Sequence, residues 1–234
     1  MIYAQNVTKR YNKLLANDEV CLNVQPGELA MLLGPNGAGK STIIKSICGL
    51  LRYEGAITVG GFNNRDVEAK RLLGYVPEIP SLYPMLTVWE HLEFIARAYR
   101  LKDWEHDAEE LLRRFGMADK SDKLGKELSK GMQQKVNICC AVLPKPQAVI
   151  LDEPLVGLDP HGIREIKVLI SDLKNSGCAL LISTHMIESM EDNWDITYIM
   201  KGGRVALVCR RGEMPEEQSL EDVYFSIIEG GDNT

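Results

Sequence analysis

The stretch Gly34-Pro35-Asn36-Gly37-Ala38-Gly39-Lys40-Ser41-Thr42 constrains this chain more than any other. Before it runs Leu29-Ala30-Met31-Leu32-Leu33, a short apolar run that reads as a buried strand. After it, Ile43 to Cys48 reads as a helix ended by Gly49. Strand, glycine-rich loop and helix form the context that gives G-x-x-x-x-G-K-[ST] its meaning. Glycines admit backbone angles and close approaches that a Cβ would block. Successive N–H groups can then point inward as an anion nest at the positive end of a helix. Lys40 is placed to reach the β- and γ-phosphates of a nucleoside triphosphate, and the Ser41 hydroxyl to bind Mg²⁺. A bare glycine-rich turn would give Lys40 and Ser41 no reason to stand there.

A chain of 234 residues, 45% of them hydrophobic, can bury a sizeable core. Its net charge of -6 argues against nucleic acid as the main partner, which calls for a basic face. The 6 cysteines show no metal-ligand spacing, and several lie in apolar stretches. A reduced intracellular protein is the expectation. No apolar run approaches the ~20 residues needed to span a bilayer. Met1 to Gln5 lacks the basic and apolar regions of a signal peptide. No internal repeat is evident, and Gly230 to Thr234 is expected to fray.

Ile2-Tyr3-Ala4 and Val20 to Val24 alternate as half-buried strands do. Tyr11 falls in the polar linker between them, where it can stack on an adenine or be an ordinary loop tyrosine. Ala56 to Val59 and Gly74 to Glu78 read as further short strands, the second stopped by Pro77. A helical stretch follows. Thr87 and Glu90 form a capping-box pattern ahead of Val88, Leu92, Ile95 and Tyr99 at helical spacing. Asp103 is expected to cap the next helix, where Trp104, Ala108, Leu111, Leu112 and Phe115 share a face. Ser129 stands where an N-cap belongs, before Met132, Val136, Cys139, Cys140 and Leu143. Taken alone, that is a capped amphipathic helix.

Ala148 to Leu151 reads as a fully buried strand ending in Asp152-Glu153-Pro154. Open α/β sheets bind ligands at the carboxyl ends of such strands. Asp152 can hold Mg²⁺ there, directly or through water, and Glu153 can polarise a water molecule. Asp159-Pro160 opens a long helix that Gly177 ends. Ala179 to Ser183 is another buried strand with His185 just beyond it. A lone histidine is more often structural, but this one sits at the strand edge that carries the two acids. A hairpin of 197–200 and 205–208 turns at Gly202-Gly203, and Ser219 caps a last helix reaching Glu229.

These residues together resemble the ATP-binding subunit of ABC transporters, over nearly the whole chain. Tyr11 matches the family's adenine-stacking aromatic, Gly34 to Thr42 its Walker A, and Glu78 falls at the Q-loop. Leu128 to Gln133 match the signature motif, and Asp152 and Glu153 match Walker B with its catalytic glutamate. Gly157-Leu158-Asp159 matches the D-loop, and Ser183-Thr184-His185 the switch histidine. Two positions depart from the usual pattern. Glu78 stands for the Q-loop glutamine, and Leu128-Ser129-Lys130-Gly131-Met132 for Leu-Ser-Gly-Gly-Gln. Both variants, and the ending Ser219 to Tyr224, are similar to export-type bacterial subunits.

The resemblance implies an α/β fold, with a P-loop NTPase (RecA-like) core, an N-terminal antiparallel β-portion and an inserted helical subdomain. Residues 1–234 would form one domain, with 1–85 and 144–229 as the ATP-binding lobe and 86–143 as the helical part. The implied cofactors are ATP and Mg²⁺, with Ser41, Asp152 and Glu78 toward the metal and Glu153 and His185 catalytic. Ser129 and Gly131 would complete the ATP site of a second ATPase subunit, in a homodimer or heterodimer, and Asp159 of the D-loop would be a further nucleotide-binding residue. An integral-membrane transporter subunit would anchor the chain at the inner face of the cell membrane, on its cytoplasmic side. The alternatives are an ABC-type ATPase without a transport role, and a P-loop kinase. The kinase reading leaves Leu128 to Gln133 and His185 without purpose.

Overall fold

The computed structural model describes residues 1–187, 193–215 and 218–230. The chain opens with β1 (Ile2–Tyr11), β2 (Leu14–Val24) and β3 (Leu29–Leu33), then α1 (Lys40–Ile47). There follow β4 (Glu54–Val59), β5 (Phe62–Asn63), α2 (Val67–Leu72) and β6 (Leu73–Val76). The helices α3 (Val88–Tyr99), α4 (Glu105–Arg114) and α5 (Lys130–Val142) come next, with no strand between them among the described residues. The chain then forms β7 (Ala148–Asp152), α6 (Pro160–Asn175), β8 (Ala179–Ser183), β9 (Ile196–Lys201), β10 (Arg204–Arg210) and α7 (Leu220–Glu229).

Two sheets result. A 4-stranded antiparallel sheet has the order β2-β1-β4-β5. A 6-stranded sheet has the order β10-β9-β3-β8-β7-β6, parallel throughout except for the β9–β10 hairpin at one edge. The central strands β3, β7 and β8 are buried at every position because both faces are covered, and only Asp152 and Ser183 at their carboxyl ends are polar. Alternation divides their side chains between two cores. Leu29, Met31 and Leu33 of β3 join Leu92, Leu112, Phe115, Val136 and Cys139 of the three helices. Ala30 and Leu32 point the other way, to Ile43, Ile44 and Ile47 of α1 and to Ile2, Leu22 and Ile57 of the antiparallel sheet. Each fully buried aliphatic chain of this kind contributes about 1.5–3 kcal/mol, so α1 is clamped between the sheets.

The structure corrects several local expectations. β1 runs on to Tyr11 and β2 begins at Leu14, so Tyr11 ends a strand and flanks a tight hairpin turn. The distal half of this ribbon is mostly exposed and bulged, with Asn6 and Glu19 at positive φ. With few core contacts it carries no apolar period, which is why the sequence read it as linker. Asp103 does not cap α4. It sits at φ 51 and Trp104 takes the N-cap position without a side-chain cap. The Trp104 ring instead packs on Trp89 of α3, with ring centroids 5.2 Å apart. β5 and α2 went unread; each is a short, largely exposed element. The expected fraying beyond Gly230 concerns residues 231–234, outside the described ones.

Candidate active site

The strands β3, β8, β7 and β6 are consecutive neighbours. Parallel pairing brings their carboxyl ends to one edge, where sheets of this kind bind ligands. The glycine loop leaves β3, His185 follows β8, Asp152 and Glu153 close β7, and Glu78 follows β6. All of these, with Tyr11, line one cleft of about 870 Å³. Its volume lies in the range of pockets that enclose a small ligand.

Two glycines are required by close approach. Gly34 has φ 154, and a Cβ on it would lie 2.5 Å from the Met200 carbonyl oxygen. Gly39 has φ 101, and its Cβ would meet the Ala16 carbonyl at 2.4 Å and Asn17 Nδ2 at 2.5 Å. α1 starts at Lys40 with no acidic residue in its first turn, so its positive end meets the cleft uncompensated. Lys40 is only 9% exposed. Its ammonium donates to the carbonyl oxygens of Gly34 (2.6 Å) and Pro35 (3.2 Å). Burial holds its pKa below the ordinary lysine value, against the opposing pull of Glu153, Asp152 and Glu78.

Asp152 is buried, and the Ser183 hydroxyl donates to its Oδ1. Glu153 follows at φ 50, a left-handed conformation that a non-glycine residue adopts at a cost. Its N–H donates to Ser183 O at 3.0 Å. His185 Nδ1 lies 2.9 Å from Glu153 Oε2, which also accepts from the His185 backbone N–H at 3.3 Å. The Glu153 side chain is 12% exposed and that of His185 64%. A largely covered carboxylate is thus held by a histidine that remains open to the cleft. For a hard cation, the oxygens on offer are those of Ser41 and Asp152, with Glu78 on the same cleft. Among the described residues no cluster of three or more His, Cys, Asp or Glu side chains makes a closed metal cage. That donor set fits Mg²⁺, which is held by one or two carboxylates and completes its shell with phosphate oxygens and water.

Ser129, Gly131 and Asp159 lie apart from the lining of this cleft. Ser129 caps α5, its Oγ accepting from Met132 N at 3.3 Å. A Cβ on Gly131 would lie 2.8 Å from the Gly157 carbonyl oxygen. Asp159 caps α6, its Oδ1 accepting from Gly162 N at 3.2 Å. Gly131 thus packs on the segment that leads into Asp159, and none of the three lines the cleft around Lys40. Sequence reasoning missed Asn17, which is fully buried and donates from Nδ2 to Gly39 O at 3.1 Å, bracing the loop from β2. It also missed Gly203, whose N–H donates to Ala38 O, and Tyr224, which walls the cleft from α7. Nothing local marks Asn17, because its partner lies 22 residues away. The Gly202-Gly203 turn was legible as a turn but not as part of the cleft.

Comparison with known proteins agrees with this geometry. Residues 17–156 match the ABC transporter family. The lipopolysaccharide export system ATP-binding protein LptB of Haemophilus influenzae is 32% identical, over 96% of this chain and 97% of that one. A solved ATP-binding subunit of an ABC transporter superposes with TM-score 0.92 at 34% identity, covering 97% of this chain and 99% of the other. The dimeric bacterial cassette MJ0796 superposes with TM-score 0.82 at 28% identity, covering 90% and 98%. A post-hydrolysis structure of the same cassette holds ADP and Pi. Cassettes of this kind bind ATP and ADP, pair as dimers and work with membrane subunits. The chain belongs to the ABC transporter family, as an ATP-binding and ATP-hydrolysing subunit that powers transport.

Proposed function

We propose that the cleft binds Mg-ATP through the residues described above and that Glu153 is the general base. The observation that carries this is His185 Nδ1 at 2.9 Å from Glu153 Oε2, beside Lys40 and the phosphate loop. Tyr11 stacks on the adenine. Residues Gly34 to Thr42 wrap the phosphates with backbone N–H groups, and Lys40 exchanges its loop carbonyls for β- and γ-phosphate oxygens. Ser41 and Asp152 would hold Mg²⁺, with Glu78 standing where the family has an amide, and the ion would neutralise phosphate charge. Glu153 accepts a proton from the water that attacks the γ-phosphorus as the bond to the bridging oxygen breaks. His185 keeps the Glu153 carboxylate aimed at that water.

Ser129, Gly131 and Asp159 then serve the ATP of the opposite protomer, in a homodimer or heterodimer. The N-terminus of α5, capped by Ser129, offers N–H groups to a γ-phosphate that the first protomer leaves open. The helical part, 86–143, moves against the lobe formed by 1–85 and 144–229, and the Glu78 region passes that motion to an integral-membrane subunit. No helix of the described residues is long and apolar enough to cross a membrane. The chain would work from the cytoplasmic face, bound there through its partner, and in the export direction. Subunits carrying Ser129→Arg and Lys40→Ala, each nearly inactive alone, test the shared site. Mixing them should restore part of the hydrolysis or at least retain one ATP per mixed dimer. No mixed dimer and no retained ATP would refute it. Recovery of an integral-membrane partner from detergent-solubilised membranes tests the transport assignment.

A further inference from the structure

The start of α5 and the segment after Glu153 meet through a joint that the hydrolytic chemistry does not require. Lys135 lies one helical turn beyond Gly131, on the same face of α5. Its Nζ sits 3.1 Å from Asp159 Oδ1. The Lys135 side chain is 13% exposed and that of Asp159 is 58% exposed. Lysine is rarely covered in this way unless paired. The lysine stem runs close against the first turn of α6. A Cβ on Gly162 would lie 2.9 Å from Lys135 Cε and 2.8 Å from Asp159 Oδ1. Gly131 meets the Gly157 carbonyl just as closely, and the Lys130 stem passes within 3.7 Å of where a Gly157 Cβ would stand. Gly162 therefore lets the lysine stem cross the first turn of α6, and Gly131 lets the start of α5 approach the backbone of Gly157. The segment it reaches begins at the catalytic turn, where Val156 N bonds to Glu153 O and Leu158 N to Leu155 O.

We propose that Lys135 is a positioning residue: its grip on Asp159 locks the start of α5 to residues 157–162, so that Ser129, Gly131 and Asp159 meet a partner protomer as one rigid face. The inference rests on the reading that these residues complete the partner's ATP site. Both bonds to Asp159 use Oδ1, one from Gly162 N and one from Lys135. The carboxylate is thus immobilised while most of its side chain stays open to a partner. Without the ammonium, α5 and the 157–162 segment would have to be brought into register at each association, and that ordering cost would appear as weaker pairing.

The test uses the full chain carrying Glu153→Gln, which should hold ATP without hydrolysing it. Two quantities are measured: the ATP-dependent dimer dissociation constant by sedimentation, and the affinity of the monomer for a fluorescent ATP analogue. Lys135→Met should weaken dimerisation by about tenfold, a typical coupling for contacting residues, and leave monomer affinity within about twofold. Lys135→Gln provides a second variant should the first fold poorly. Lys135→Arg should restore most of the loss, since a guanidinium still reaches the carboxylate. Asp159→Asn should cost less in the Lys135→Met background than it costs alone, because the ion pair is already broken there. Undiminished dimerisation of Lys135→Met, failure of Lys135→Arg to rescue, or fully additive losses would each overturn the inference. A Glu153→Gln parent that stays monomeric with ATP would overturn the shared-site reading, and this inference with it. A dimerising parent with an unaffected Lys135→Met derivative overturns the inference alone.

Discussion

Lys40→Ala probes the phosphate site most directly. The ammonium makes two short bonds in the loop, to Gly34 O at 2.6 Å and Pro35 O at 3.2 Å. On the proposed reading, phosphate oxygens take over these donors when the nucleotide binds. A hydrogen bond to a charged group is worth about 1.5–3 kcal/mol, so two of them amount to roughly 3–6 kcal/mol. The two carbonyl bonds given up, at about 0.5–1.5 kcal/mol each, offset about 1–3 kcal/mol of that, leaving about 2–3 kcal/mol. At about 1.4 kcal/mol per decade, ATP affinity should fall about 30- to 150-fold. A second effect has the same sign. Asp152, Glu153 and Glu78 all act on Lys40, and its removal leaves three carboxylates facing a polyanion with no lysine between them. The residual binding should therefore be more salt-sensitive than that of the parent, because added ions screen the repulsion. Fluorescence titration with an ATP analogue and Mg²⁺, at two ionic strengths, measures both effects. Thermal unfolding serves as the control for fold. A folded Lys40→Ala protein that binds ATP within threefold of the parent would refute the assignment.

Glu153→Gln should keep ATP binding, lower hydrolysis by about 10²–10⁴-fold and accumulate an ATP-bound dimer; a monomeric, fully active variant would exclude Glu153 as the base. Gly39→Ala should destabilise the fold by about 1–3 kcal/mol in urea unfolding, because its Cβ enters contact with backbone at a positive φ. An unchanged midpoint would contradict the packing described for Asn17 and Ala16. Asp159 carries a pH signature: Lys135 first, then the Gly162 N–H, hold its carboxyl below the ordinary value of 3.8. A depressed folded pKa gives a contribution that is full above that value and lost as pH falls through the lowered one. The parent should thus melt above Asp159→Asn at pH 7, and the gap should close at acid pH. A gap that persists unchanged below pH 3 would be inconsistent with the ion pair.

What was legible in the sequence was whatever depends on near neighbours. The buried strands, the loop from Gly34 to Thr42 and the caps at Thr87, Ser129, Asp159 and Ser219 need only a few residues of context. Each capping bond spans three residues, so the pattern and the physical interaction coincide. Expectation failed where a distant contact outweighed local preference. Trp104 displaced Asp103 from the cap of α4 because an indole face on Trp89 buries more apolar area than one capping bond offsets. The ribbon carrying Tyr11 was missed because its distal half meets so little of the core.

The order of residues carries the chemistry available: a glycine loop with Lys40 and Ser41, two acids after one buried strand and a histidine after another. It also determined the family, since those motifs recur in order. That these groups share a single edge follows from how the strands pair in three dimensions. The order β3-β8-β7-β6 sets the carboxyl ends side by side, and no local pattern encodes which strand pairs with which. The same holds for Asn17 under Gly39 and for Lys135 on Asp159. Each joins residues more than twenty positions apart, brought within bonding distance by cores that bury Leu, Ile and Val from every part of the chain.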